Sequence, residues 1–254
     1  MQTKLVKIFR QIQANDISWT ERNLANTPFY SGYWVTQRLK NSIVSQAKRA
    51  KGVLLDVGCG IKPYEKNFLP FVEKYYGIEY SPDSGYRGNR ADIASDATNL
   101  PFADESFDTI LCTEVLEHVS DPEKVVSEFA RVLKPDGIVI TTAPFFYPIH
   151  AAWDFFRYSP DGIAAIMKRY GLVVEEVRPH SGTGLTIAIM INIYLYDIGF
   201  MWTKWLYPIG LVLRPLLWLI VCLVNLGGWV LEKILPSVHM SFGHLTVARK
   251  PIIE

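Results

Sequence analysis

A glycine turn at the end of a predicted strand is the first group of residues in this chain with a chemical use. The apolar run 53–57 leads into Gly58 and Gly60, and Asp56 stands just before the turn. Glycines at such a turn let the backbone bend sharply and approach a bound nucleotide-like ligand without a Cβ clash. Glu79 lies 23 residues after Asp56, at the end of the next predicted strand. A carboxylate in that place can accept both hydroxyls of a ribose.

A third group separates this pattern from a nicotinamide site. Asp96 and Ala97 follow a weak third strand, where an acid can accept a hydrogen bond from an adenine amino group. The dinucleotide fingerprint would place a third glycine at position 63, but Pro63 stands there, so pyrophosphate binding at the helix start is disfavoured. Asp56 as a simple helix cap is the alternative to ligand contact, and the combination of the three groups favours contact.

The elements that must position these residues alternate between β-rich runs and helical patterns. This alternation predicts βαβ units and a parallel sheet. Helix starts are marked by the sequences Asp-Pro-Glu at 121–123 and Ser-Pro-Asp at 159–161, each with a capping residue before a proline. We therefore predict an α/β fold with a seven-stranded, Rossmann-like sheet, helices on both faces and an apolar helical insertion before the last strand. The predicted strands are 53–57, 75–80, 90–93, 107–112, 138–143, 172–177 and 244–248.

Length and composition bound the class of protein. A chain of 254 residues with 49% apolar and 20% charged residues suits one substantial globular core with an embellishment. A net charge of +1 gives no electrostatic case for nucleic acid. The three cysteines are widely spaced, which favours a reducing compartment, and the first 19 residues hold no apolar run long enough for a signal peptide.

The predicted divisions are an N-terminal helical segment 1–50, a cofactor-binding core 51–181, an insertion 182–240 and a last strand with the C-terminus 241–254.

In combination these motifs resemble those of the class I, S-adenosyl-L-methionine-dependent methyltransferases of the type 11 group. That group includes the ubiquinone and menaquinone biosynthesis methyltransferases. The resemblance covers about 50–145. The matching stretches are LLDVGCG at 54–60, GIE at 77–79, DATNLPFADESFD at 96–108, EVLEHVSDPEKVVSEFARVLKPDG at 114–137 and the strand that follows.

The resemblance implies S-adenosyl-L-methionine as the cofactor and assigns residues to its parts. Asp56, Gly58 and Gly60 would form the turn beside the methionine part, Glu79 would hold the ribose, Asp96 and the Ala97 backbone would hold the adenine, and Glu114 would line the amino-acid end. Lys62 departs from the pattern, since many members have a third glycine there. A non-catalytic, membrane-associated binding module with the same fold and a NAD-linked oxidoreductase are the alternatives.

The loop after the fifth strand, 144–158, is the expected place for substrate, because open α/β sheets bind ligands beyond the carboxyl ends of their strands. Its candidate catalytic residues are His150, Asp154 and Arg157, and the stretch resembles one in methyltransferases of cell-surface polysaccharide gene groups. His150 has a suitable pKa for a general base if the acceptor is a hydroxyl. Asp154 and Arg157 could instead form a structural ion pair.

Two further side chains near this loop carry no predicted chemistry. Glu117 and His118 lie in one helical turn with Glu114, and for both a solvated face is the competing interpretation. We expect no metal site. The acceptor itself is left open among lipid, quinone, glycolipid, saccharide and small metabolite.

The insertion 182–240 has three interpretations. Its longest uncharged run, 215–231, is slightly shorter than the roughly 20 residues of a spanning helix. We rank peripheral membrane contact through 200–235 first, a buried lid second and a spanning hairpin third, and expect a cytoplasmic protein at the inner face of a membrane where contact occurs. The residues that favour the interface are Trp202, Lys204, Trp205, Tyr207, Trp218, Trp229 and Lys233.

Overall fold

A computed structural model of the chain describes residues 23–80, 90–205 and 209–252. The side chains of 200–212 fall outside that description. The structure therefore does not describe the first 22 residues of the predicted N-terminal helical segment or the side chains of Trp202, Lys204, Trp205 and Tyr207.

The sheet has seven strands in the order β3-β2-β1-β4-β5-β7-β6. β7 runs antiparallel to both of its neighbours, and every other pair is parallel. This arrangement confirms the predicted seven-stranded, Rossmann-like fold. The strands are β1 Val53–Val57, β2 Lys74–Glu79, β3 Ile93–Ala94, β4 Phe107–Thr113, β5 Leu133–Pro144, β6 Val173–Pro179 and β7 Gly243–Arg249.

Two strands begin three or more residues away from their predicted starts, and the other strand boundaries differ from the prediction by at most two residues. β3 is only two residues long and begins at Ile93, where the predicted strand ended. β5 begins at Leu133 instead of 138, because Leu133 pairs with Phe107 before a register shift. Inside this longer strand Asp136 has a φ of 64°.

The helices are α1 Tyr33–Val44, α2 Glu65–Phe68, α3 Pro122–Val132, α4 Pro160–Arg169, α5 Thr183–Trp205 and α6 Ile209–Ile234. Both predicted capping residues act as caps. The Asp121 carboxylate accepts from the Lys124 N–H at 3.1 Å, and the Ser159 hydroxyl accepts from the Gly162 N–H at 3.1 Å. The apolar face of α3 is fully buried in the core of the sheet, as its helical spacing predicts.

Contacts divide the chain into two compact units. The sheet unit comprises Lys40–His180 and Ser241–Glu254, and the helical unit combines Ser181–Met240 with the described part of Met1–Leu39. The segment before residue 40 thus groups with the insertion, and α1 begins in one unit and ends in the other.

Within the helical unit, α5 and α6 pack as a hairpin around a buried amide pair. The Asn192 side-chain amide donates to the Asn225 Oδ1 at 2.9 Å, and both side chains are buried. The Asn225 amide also donates to the backbone oxygens of Pro28 and Tyr30. Since a buried amide without partners is costly, this network fixes the register of the hairpin against the N-terminal segment.

Candidate active site

The turn after β1 is built so that only glycine fits at its first position. Gly58 has a φ of 70°, and a Cβ there would lie 2.4 Å from the Val115 Cγ2. The N–H groups of Gly58 and Cys59 both donate to the Ile78 carbonyl, at 2.9 and 3.0 Å. Because the turn is fastened to the end of β2, its shape is fixed before any ligand binds.

Glu79 lies at this turn, as its spacing predicts. Its Oε2 accepts from the Gly60 N–H at 3.1 Å, and its Oε1 accepts from the Tyr80 N–H at 3.1 Å. The half-buried residue ends β2, next to β1 in the sheet. The structure therefore brings the predicted ribose acceptor and the glycine turn together at one edge.

Asp56 is buried at the end of β1 and accepts a hydrogen bond from the Tyr75 hydroxyl. Burial raises the pKa of Asp56 to about 7, although the Tyr75 hydroxyl and the charge of Lys62 oppose the shift. The Asp56 carboxylate is thus hydrogen-bonded to a residue of the neighbouring strand β2. Its contact with the methionine part of a cofactor stays a prediction.

Lys62 keeps the backbone conformation that a glycine would supply. Its φ is 54°, and its buried ammonium forms an ion pair with Asp92. The Asp92 carboxylate also accepts from the Gly77 N–H at 2.7 Å. A left-handed conformation costs a side chain about 1–2 kcal/mol, and the ion pair offsets that cost. Sequence reasoning missed Asp92, which had no motif to identify it.

Asp96 and Ala97 occupy the loop that follows β3. Asp96 is exposed, and its Oδ1 accepts from both the N–H and the hydroxyl of Thr98 at 2.8 Å. Ala97 is half-buried against the core. This turn leaves the Ala97 backbone at the carboxyl end of β3, on the same edge of the sheet as Glu79.

Two buried carboxylates follow β4. Glu114 has a φ of 53°, and its N–H donates to the carbonyl and hydroxyl oxygens of Thr142. Burial raises the pKa of both Glu114 and Glu117, and the Glu114 charge contributes to the rise in the pKa of Glu117. The expectation of a solvated face is wrong for Glu117, whose residue is 0% exposed, because the loop after β5 folds over this turn.

Three contacts hold that loop in place. The Phe155 N–H donates to the Glu117 carbonyl at 2.7 Å, and the Tyr158 hydroxyl donates to the Leu116 carbonyl at 3.0 Å. The His118 Nδ1 lies 2.5 Å from the Trp153 carbonyl oxygen. The turn after β4 and the loop after β5 therefore form one layer at the carboxyl ends of the central strands.

Asp154 and Arg157 form the ion pair that was the alternative to a catalytic role. The Arg157 Nη2 donates to the Asp154 Oδ2 at 2.8 Å, and the guanidinium also donates to the carbonyls of Tyr147 and Pro148. The Arg157 guanidinium holds the pKa of Asp154 well below its usual range. The pair lies in an irregular loop before α4, not on a helical turn.

His150 is tied to the same carboxylate. Its N–H donates to the Asp154 Oδ2 at 3.0 Å, and its ring Nδ1 lies 3.1 Å from that oxygen. Partial burial lowers the pKa of His150, and the Asp154 charge opposes that shift. Asp154 and Arg157 thus position His150, and the catalytic roles of all three residues stay predictions.

This arrangement of a glycine turn, a strand-end acid and a covered carboxyl edge is matched by known proteins. The family described as a methyltransferase domain matches residues 55–141. The chain therefore contains a match to this methyltransferase domain over residues 55–141, about a third of its length. The matched residues begin within β1, end within β5 and include every predicted cofactor residue.

Curated proteins are similar to this chain over the same region. The methyltransferase YcgJ of Bacillus subtilis is 35% identical over 100 residues, covering 35% of this chain and 39% of that protein. A ubiquinone/menaquinone biosynthesis C-methyltransferase of Psychromonas ingrahamii is 31% identical over 108 residues, covering 39% of this chain and 43% of that one. The chain spans about two fifths of the length of these relatives.

Solved structures share the fold of this chain over most of its length. The crystal structure of Bacillus subtilis YcgJ has a TM-score of 0.51 at 18% identity, covering 86% of this chain and all of that one. The [4+2]-cyclase SpnF has a TM-score of 0.55 at 19% identity, covering 85% and 81%. Similarity at this level shows the fold and leaves the reaction to be argued from the site.

The buried Asp56 predicts a pH dependence of stability. Its folded pKa of about 7 lies above its ordinary value, so its stabilising contribution is complete below about pH 4 and is lost as the pH rises to about 7. Asp56→Asn should flatten the fall in unfolding free energy over this window by at most about 4 kcal/mol, measured by urea denaturation of the cofactor-free protein.

Glu123→Gln is the matched control, because Glu123 is an exposed carboxylate paired with Arg169. Its pKa is lowered, so its own contribution is lost only as the pH falls below about 4. Slopes above pH 4 that are the same for the wild type and Asp56→Asn would contradict the burial argument.

Proposed function

We propose that the protein transfers a methyl group from S-adenosyl-L-methionine to an oxygen of a small-molecule, lipid-linked or saccharide acceptor. The observation that carries this proposal is the Glu79 carboxylate, 3.1 Å from the Gly60 N–H at the end of β1, within the methyltransferase domain. Glu79 accepts from the ribose, Asp96 and the Ala97 backbone hold the adenine, and Gly58, Gly60, Asp56 and Glu114 surround the methionine end.

The cofactor assignment predicts the effect of removing the ribose acceptor. Glu79→Ala removes hydrogen bonds to a charged acceptor, each worth roughly 1.5–3 kcal/mol. Calorimetry should therefore show that affinity for S-adenosyl-L-methionine falls by about tenfold or more, while NAD binds to neither protein. Glu73→Ala, which changes an exposed acid just before β2, is the control. An unchanged affinity in folded Glu79→Ala would remove Glu79 from the site.

Methyl transfer to an oxygen needs alignment and the loss of a proton. The sulfonium already activates the methyl carbon, so the protein chiefly positions the acceptor. His150, held by Asp154 in the loop after β5, accepts the proton in this proposal. The alternatives have less support: Pro63 disfavours a nicotinamide cofactor, and the presence of both Glu79 and Asp96 disfavours a non-catalytic module.

The acceptor class is tested by supplying methyl-labelled cofactor with separate lipid and aqueous extracts of the source cell. We expect label in the lipid extract with the wild-type protein and a loss of most of it with Glu79→Ala at subsaturating cofactor. Label that appears only in the aqueous extract would replace the lipid-linked acceptor with a soluble one. No label in either extract, from a protein that binds the cofactor, would contradict methyl transfer to these acceptors.

The exposed face of α6 supports a membrane contact. Leu213–Ile234 is long and apolar enough to cross a bilayer, and only 17% of its most apolar stretch is buried. Leucines such as Leu216 and Leu223 are more than half exposed along one side of the helix. Near the end of α6 the Lys233 ammonium lies 4.2 Å from the centre of the Trp229 ring, a pairing that suits headgroup depth. We place this face in the interface of an anionic, cytoplasmic leaflet, from which a lipid-linked acceptor would be taken.

Vesicle binding tests that contact. The full-length protein should sediment with anionic phospholipid vesicles at low salt and be partly released at high salt, because the contributions of Arg214 and Lys233 are screened. Leu216→Glu with Leu223→Glu should abolish sedimentation, whereas Leu69→Glu, at a similarly exposed leucine of the sheet unit, should not. A wild-type protein that does not sediment with vesicles at low salt would contradict the membrane proposal.

A further inference from the structure

Three side chains outside the predicted cofactor set bring metal-ligand atoms together. Glu117 and His118 come from the turn after β4, and His150 comes from the loop after β5. One ligand atom from each lies within 4.8 Å of the others. The His118 Nε2 is 3.6 Å from the Glu117 Oε1, and the two imidazole ring centres are 5.1 Å apart. These distances suit three ligands of one ion better than direct hydrogen bonds.

Glu117 supplies an independent reason for a ligand at this point. Its side chain is 0% exposed, and neither carboxylate oxygen has a hydrogen-bond partner among the described residues. The Glu114 Oε1, in the same turn, is also buried without a described partner. Burying an unpaired carboxylate is costly, so such groups are protonated, paired or bound to a cation.

Both histidines are oriented as metal ligands usually are. The Nδ1 of His118 faces the Trp153 carbonyl oxygen, and the Nδ1 of His150 faces the Asp154 carboxylate at 3.1 Å. A hydrogen bond from Nδ1–H to an acceptor selects the tautomer whose Nε2 carries a free lone pair. The Arg157 guanidinium holds the Asp154 carboxylate in turn, so the support extends one layer outward.

We propose that Glu117, His118 and His150 bind a divalent transition-metal cation that coordinates the acceptor oxygen. Two imidazoles and one carboxylate suit Mn²⁺, Co²⁺ or Zn²⁺, whereas Mg²⁺ and Ca²⁺ prefer oxygen ligands. Three protein ligands leave positions open for a hydroxyl of the substrate. The role in methyl transfer rests on the proposed function, but the cation site itself does not.

The reaction balances without an oxidant or reductant. Coordination lowers the pKa of an acceptor hydroxyl, whose proton leaves to solvent. The resulting oxygen forms a bond to the methyl carbon of the sulfonium cofactor as the carbon–sulfur bond breaks, and that electron pair stays on sulfur to give a neutral thioether. In this arrangement His150 is a ligand that positions the acceptor, and the cation takes over the activation that a general base would otherwise provide.

Titration with Co²⁺ alone, followed by visible absorption of the tag-free, full-length protein, tests the site directly. We expect one Co²⁺ per chain, with bands typical of mixed nitrogen and oxygen ligands, and no displacement by a tenfold excess of Mg²⁺. Glu117→Gln and His150→Ala should each weaken binding by at least tenfold. Asp154→Asn should weaken it about 10- to 100-fold through His150. His239→Ala, at an exposed histidine of the helical unit, should bind as the wild type does.

Glu117 is buried, so Glu117→Gln could fail to fold. His150 lies in a partly exposed loop, so His150→Ala still tests the cation site in that case. Absence of stoichiometric Co²⁺ binding, or equal affinity in the wild type and His150→Ala, overturns the proposal. Calorimetry with S-adenosyl-L-methionine on the same samples separates the two ideas. Binding of Co²⁺ without binding of S-adenosyl-L-methionine would support the cation site and contradict the methyltransferase proposal. Binding of S-adenosyl-L-methionine without binding of Co²⁺ would support the cofactor assignment and contradict the cation site.

Discussion

The rest of the site depends on one steric constraint at the end of β1. Gly58 sits where a Cβ would collide with Val115, with a positive φ and with its N–H bound to the Ile78 carbonyl. This turn sets how close a ligand can come to the backbone, and it places the Gly60 N–H against Glu79. Val115 belongs to the turn after β4, so the same contact also positions the turn that carries Glu114 and Glu117.

Three buried carboxyl groups lie at the same edge of the sheet. Asp56, Glu114 and Glu117 are withdrawn from water at the carboxyl ends of adjacent strands, and burial raises the pKa of each. Of these, Asp56 has a hydrogen-bond donor in Tyr75, whereas Glu117 has none among the described residues. A positively charged cofactor and a bound cation would each relieve this accumulation, because an opposite charge favours the ionised form.

The helical unit poses a different physical problem, since it buries the polar side chains of Asn192 and Asn225 while many large apolar side chains of α6 are exposed. The buried Asn192 amide donates to Asn225, and the Asn225 amide donates to backbone oxygens of the N-terminal segment, while leucines along α6 face outward. An exposed apolar face of this length is expensive in water.

The sequence by itself determined the order of strands and helices, the glycine turn and the interval to Glu79, because these depend on local periodicity and on backbone conformations open to few residues. It also identified the loop carrying His150. Only the tertiary structure decided that Glu117 is buried rather than solvated and that His118 meets His150. Burial and contacts between distant segments depend on how a loop folds over its neighbours, and no local pattern encodes that. The left-handed Lys62 is a similar case, since its partner Asp92 directly precedes β3 and comes close only when β1, β2 and β3 lie side by side in the sheet.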